Sequence, residues 1–206
     1  MFVFCSMIRP RTLTDHDRLD AILRASPTLM RVFEIARELD LPQWRIVSGA
    51  IYQTVWNALT GRDPDYGIKD FDLFYFDGSD LSYEAEDVEI KRAATAYPPE
   101  LAARVEVRNQ ARVHLWFEAK FGAPYAPVSC SDEALLGFVA PAYAVGARLE
   151  KDGRIDIAAP FGLDDVFAMK LRPNPTRPLS PRWTAITRGV VTRWPEVIIE
   201  GPASAP

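Results

Sequence analysis

Apolar residues along this chain recur at helical spacing in some stretches and at every second position in others. From Thr14 to Ala25, Leu19, Ile22 and Leu23 share a helical face, and Thr14 is placed to cap it. Ser26-Pro27 restarts a second helix with proline near its first turn. Its stripe is Leu29, Val32, Phe33, Ile35 and Ala36, ending near Leu41-Pro42. Trp44 to Val47 predicts a short strand that stops at Ser48-Gly49. Ala50 to Leu59 predicts a helix offering Tyr52, Val55, Trp56 and Leu59 for packing, closed by Thr60-Gly61.

Arg62 to Gly67 is a polar turn, and Asp70 to Phe76 alternates as a strand. Ser82 caps a helix running to about Ala96, with Glu84, Glu86 and Asp87 in its first turns, where the helix dipole favours acids. Pro98-Pro99 reads as a hard stop. Arg104 to Arg108 alternates again, with Glu106 and Arg108 on one face and Val105 and Val107 on the other. Asn109 to Phe121 is expected to be partly helical, and Ser131 to Phe138 a short helix. Ala144–Glu150 and Arg154–Ala158 flank Lys151-Asp152-Gly153, a hairpin signal. Gly162 to Leu171 is expected to be helical, broken by Pro173 and Pro175, with a last helix from Ser180 to Trp194. Helices alternating with strands over short connections imply an α+β protein: a small mixed sheet flanked by helices.

At 206 residues the expectation is a single domain over residues 1–200. Residues 141–195 form its C-terminal extension, and Gly201–Pro206 reads as a disordered tail. A net charge of −4 provides no broad basic field for tracking nucleic acid. No run of 18 apolar residues is present, so no transmembrane helix is expected. Met1 to Ile8 is apolar but short, and Arg9 and Arg11 follow it instead of preceding it, so a packed arm or alternative start is expected ahead of a signal peptide. Cys5 and Cys130 form no motif, which fits a reduced, cytoplasmic setting. A monomer or small homo-oligomer is expected.

The candidate chemistry lies at the strand entry Gly67-Ile68-Lys69-Asp70-Phe71-Asp72-Leu73. Alternation puts Asp70 and Asp72 on one face, about 7 Å apart, with Phe71, Leu73 and Tyr75 on the other. Two carboxylates at the head of a buried strand repel each other and lose hydration; a divalent cation with oxygen ligands relieves both costs. If the Glu106 strand is the neighbour, Glu106 joins them as a third carboxylate. Such a trio around Mg²⁺ or Mn²⁺ suits phosphoryl transfer. Ser48-Gly49, at a strand-to-helix turn, allows close backbone approach and offers N–H donors to a phosphate. These parts together describe a bound nucleoside triphosphate.

The arrangement resembles the nucleotidyltransferases related to DNA polymerase β. Ser48-Gly49, Asp70/Asp72 and Glu106 match that motif in order and spacing. Longer segments resemble a bacterial nucleotidyltransferase-like family of unassigned function: Gly49–Asn57, Gly67–Asp72, Val107–Trp116 and Pro160–Asp165. The resemblance implies the polymerase β-type fold and metal-dependent transfer of a nucleoside monophosphate to a hydroxyl acceptor, with loss of pyrophosphate. Asp70, Asp72 and Glu106 would be the catalytic and metal-holding residues. The acceptor is unidentified, with a small molecule ahead of a nucleic acid and no membrane partner. Ala50 departs from the second Gly or Ser of many active members, which gives weight to a nucleotide-binding module that does not turn over.

Lys69 and Arg108 read equally as triphosphate ligands or as counter-charges to the carboxylates. Arg112 is a candidate two-point phosphate ligand or a surface salt bridge. Gln53 and Asn57 either line the pocket or pair with the sheet edge, and His114 is expected to be a hydrogen-bonded structural residue. Trp56 and Trp116 are expected in the core. A phosphatase that uses an Asp pair would want threonine after it, where this chain has Leu73-Phe74. A glycosyltransferase would need a longer chain.

Overall fold

The strand entry that carries the two aspartates alternates in burial as it does in sequence. In the computed structural model, which describes residues 13–122 and 124–201, β2 spans Phe71–Tyr75, with Phe71, Leu73 and Tyr75 buried and Asp72 and Phe74 half-buried. Before it come α1 (Asp15–Arg24), α2 (Pro27–Leu39), β1 (Arg45–Val47) and α3 (Gly49–Leu59). After it come α4 (Tyr83–Ala96), α5 (Pro99–Ala102), β3 (Val105–Asn109), α6 (Val113–Phe121) and α7 (Ser131–Ala134). The hairpin β4 (Gly146–Leu149) and β5 (Ile155–Ala158) follows, then α8 (Asp164–Phe167), β6 (Lys170–Leu171), α9 (Trp183–Arg193) and β7 (Ile198–Ile199).

The caps are those the side chains dictate. Thr14 and Asp17 form a reciprocal capping box on α1, and Ser26 and Ser82 accept from Leu29 N and Ala85 N to cap α2 and α4. Pro98-Pro99 stops α4 as expected, at Ala96, and Pro99 then opens the separate α5, because a first-turn position needs no N–H. The expected helix over Gly162–Leu171 is corrected. Only Asp164–Phe167 is helical; the chain then turns at Met169, whose φ is 49°, and Lys170–Leu171 pairs in parallel with Ile198–Ile199.

Five strands form one mixed sheet in the order β3-β2-β1-β4-β5. β1 runs antiparallel to β2 and β4, β4 antiparallel to β5, and β3 parallel to β2. One face is apolar: Ile46, Phe71, Leu73, Tyr75, Val107, Ala147 and Leu149 belong to a continuous core with α1, α2, α3 and their neighbours. The other face carries Asp72, Phe74, Glu106, Arg108 and Arg45, with a small apolar cluster around Val47, Leu135 and Ala144. Buried Arg45 is held on that face by Asp156 at 2.9 Å and by Asp132. The expected N-terminal arm and Cys5 lie outside the described residues, as does the tail beyond Gly201; Cys130 is a free thiol.

Candidate active site

Strand register assembles the acidic face. Asp72 sits opposite Glu106 on β3 and opposite Val47 on β1. Paired residues of neighbouring strands share a face, so the Asp72 and Glu106 side chains stand side by side. Asp70, two residues before Asp72, adds a third carboxylate at the exposed entry of the strand. Burial first, and then the negative charges of Asp70 and Glu106, push the Asp72 carboxyl up to about 7, against Arg108. Arg108 donates to Glu106 at 3.3 Å and to its own neighbour's carbonyl, Val107 O, at 2.8 Å.

β1 ends at Val47, so the turn that follows it runs past the head of β2, alongside Phe71 and Asp70. Ser48 has φ 54° and ψ −113°, a conformation that costs a non-glycine residue about 1–3 kcal/mol. Its N–H donates to Val145 O at 2.8 Å, and its side chain makes no cap bond to α3. The first N–H groups of a helix have no intrahelical acceptor. Here Ser48 O accepts from the N–H groups of Ile51 and Tyr52 at 2.9 and 3.0 Å, and the serine side chain caps none of the N–H groups beside the aspartates. Gly49 leaves room for the Gln53 amide beneath it; a Cβ there would meet Gln53 Nε2 at 3.1 Å. That Nε2 donates to Tyr52 Oη at 3.2 Å, while Gln53 Oε1 is buried with no partner. The Tyr52 ring stacks on Tyr143, with centroids 4.5 Å apart.

Lys69 is exposed at the strand entry, next to Asp70. Arg104 braces that entry: its guanidinium donates to Ile68 O at 2.9 Å and lies over the Phe71 ring. Arg112 is not brought to the carboxylates. It is buried in an ion pair with Glu86 and donates Nε to Leu81 O at 2.8 Å, so its donors are spent on tying α4 to the segment after β3. Asn57 is likewise internal: Nδ2 donates to Pro64 O and Tyr66 O, and Oδ1 accepts from Trp194 Nε1. His114, expected to be hydrogen-bonded, keeps its Nδ1 buried without a partner. Trp56 is in the core as expected, whereas Trp116 is only half-buried and faces a cavity. The role of Gln53 under the glycine was visible only as a shared helical face with Asn57. The cavity residues, drawn from distant segments, left no local signal.

Three crowded carboxylates are hard oxygen donors of the kind a divalent cation takes. Their donor chemistry fits such an ion, and the raised Asp72 carboxyl shows that negative charge there lacks compensation. Even so, no group of three or more His, Cys, Asp or Glu side chains among the described residues is gathered so as to hold a metal ion. Glu106 instead accepts from Arg108 at 3.3 Å.

A family model described as nucleotidyltransferase matches residues 34–199. No curated protein matches the chain. Among solved structures, the chain is similar to an NMR structure of a protein said to reveal "a CCA-adding enzyme head domain", with a TM-score of 0.72 and 25% sequence identity. The match covers 89% of this chain and 95% of that one. The matched span includes the serine–glycine turn and both acidic strands, and the chain belongs to the nucleotidyltransferase family.

Proposed function

We propose that this protein is a divalent-cation-dependent enzyme that transfers a nucleoside monophosphate from a nucleoside triphosphate to a small-molecule hydroxyl. The observation that carries the reading is the Asp72–Glu106 register pair with Asp70 beside it, where burial first and the neighbouring carboxylates second hold the Asp72 carboxyl near 7. Asp70 and Asp72 would hold Mg²⁺ or Mn²⁺, joined by Glu106 once it leaves Arg108. The bound cation supplies positive charge against the triphosphate. The N–H groups behind Ser48 and Gly49 cradle the phosphates, and Lys69 and Arg108 offset their charge. Arg112 has no part in this reading, because Glu86 already neutralises it.

In the transfer, the acceptor oxygen bonds to the α-phosphorus as the bond to the bridging oxygen of the β-phosphate breaks. Pyrophosphate leaves on the side of the turn, and the acceptor's proton passes to the Glu106 carboxylate. The net charge of −4 disfavours a long nucleic acid as acceptor.

A second reading keeps nucleotide binding and drops turnover. It is favoured by the Glu106–Arg108 contact and by Ala50, which has no hydroxyl to offer a phosphate. Calorimetry with Mg-ATP separates the reading from its failure: the Asp70→Ala/Asp72→Ala variant should lose cation-dependent binding. Equal affinity in the wild type and this variant would remove the acidic face from the site. Pyrophosphate release and label transfer in a metabolite extract then separate the enzyme from the silent module.

A further inference from the structure

Beyond the carboxylates, the same sheet face opens into a cavity of about 520 Å³. Phe74, two residues after Asp72 on β2, and Arg108, its register partner on β3, form the cavity's inner edge. Phe138 stacks on Phe74 with centroids 6.0 Å apart and planes within 9°. The opposite wall is aromatic as well: Trp116 and Phe117 on α6, with Phe117 packed on Tyr125 at 4.8 Å. Arg177 reaches the rim, where it donates to Gly137 O, and Arg182, exposed at the start of α9, completes it. Among the described residues, no acidic side chain lines this space.

The position matters as much as the lining. Along β2 the order is the serine–glycine turn, then Asp70 and Asp72, then Phe74 about 7 Å further on. In phosphoryl transfer the attacking and leaving oxygens lie roughly in line on opposite sides of phosphorus. If pyrophosphate departs toward the turn, the attacking hydroxyl comes from the side of Phe74. The volume is that of a small-ligand site, and the charged groups lining it are cationic.

Resting on the transferase reading above, we propose that this cavity seats the acceptor: a small molecule with a flat aromatic body, its hydroxyl toward Asp72 and an anionic group toward Arg182. The aromatic walls take the ring by stacking, which favours planar over bulky saturated bodies. The guanidinium of Arg182 selects a carboxylate, sulfonate or phosphate over a neutral group.

The test uses 2-naphthoate and the neutral 2-naphthylmethanol as probes in calorimetry on the full-length protein. The wild type should bind 2-naphthoate, Ile186→Trp should weaken it at least tenfold by filling the cavity, and Arg182→Gln should weaken it severalfold. Arg182→Gln should leave 2-naphthylmethanol binding unchanged. Both variants should keep wild-type Mg-ATP affinity, and a saturating non-hydrolysable Mg-ATP analogue should not displace 2-naphthoate. No binding of 2-naphthoate to the wild type, or binding indifferent to both substitutions, would overturn the proposal. Competition with the nucleotide analogue would overturn it too, by assigning the cavity to the nucleotide base. Failure of the transferase reading is seen separately, as Mg-ATP affinity that ignores Asp70 and Asp72 while 2-naphthoate still binds.

Discussion

Replacing Asp72 with asparagine should stabilise the protein at pH 8 and do far less at pH 5. The folded carboxyl titrates near 7 instead of at its ordinary 3.8, because burial and the charges of Asp70 and Glu106 disfavour ionisation. The fold therefore retains a proton that the unfolded chain has released. Stability from this group is complete below pH 3.8, falls as pH rises toward 7, and is flat above. The full displacement corresponds to about 4 kcal/mol, of which about 3 kcal/mol falls between pH 5 and pH 8. Reorientation of the carboxylates toward water trims that to about 1.5–3 kcal/mol, or about 4–10 °C in melting temperature for a chain of this size. Urea unfolding of the wild type and Asp72→Asn at both pH values, in chelator, reads the difference directly. Adding Mg²⁺ at ten times its dissociation constant should return about 1.4 kcal/mol to the wild type at pH 8 and little to the variant. A stability gap of the same size at pH 5 and pH 8 would refute the claim that the carboxylates crowd one another.

Two further substitutions test the frame around the site. Arg112→Ala should cost about 3–5 kcal/mol by stranding the buried Glu86 carboxylate, and pairing it with Glu86→Gln should recover part of the loss; an unchanged melt with weakened nucleotide binding would instead make Arg112 a ligand. Gly67→Ala should cost about 1–2 kcal/mol in backbone strain alone, since φ is 73° there, and the new Cβ would sit 2.8 Å from Trp194 Cη2. Wild-type thermal stability and nucleotide affinity in that variant would show that the turn before Asp70 is not packed as described.

Local chemistry was legible in the sequence where neighbours along the chain decide the outcome. The Asp70–Tyr75 alternation, the Ser26 and Ser82 caps and the Lys151-Asp152-Gly153 hairpin depend on residues a few positions apart. Whether the Glu106 strand lay beside β2 was left open by the sequence; the parallel pairing of β3 with β2 in the fold sets Glu106 opposite Asp72. Long-range partners were not legible. Nothing near Arg112 in sequence announces Glu86, 26 residues earlier, as its buried mate. The short parallel pair β6 and β7 joins segments with too few residues to show a period. Trp116 looks like core in sequence because a tryptophan at helical spacing does not reveal whether the space beside it is filled.

The loop delivering the aspartates is fastened from the far end of the chain. Trp194, fully buried, donates to Asn57 on α3, packs edge-on against Trp56 and Tyr66, and lies against Gly67, while Arg193 donates to Gly67 O at 3.2 Å. The helix behind the serine–glycine turn and the approach to the acidic strand thus share a single late-arriving rivet. During synthesis both acidic strands leave the ribosome well before that rivet can be set. A chain cut before Arg193 would keep both aspartates and lose what aims them.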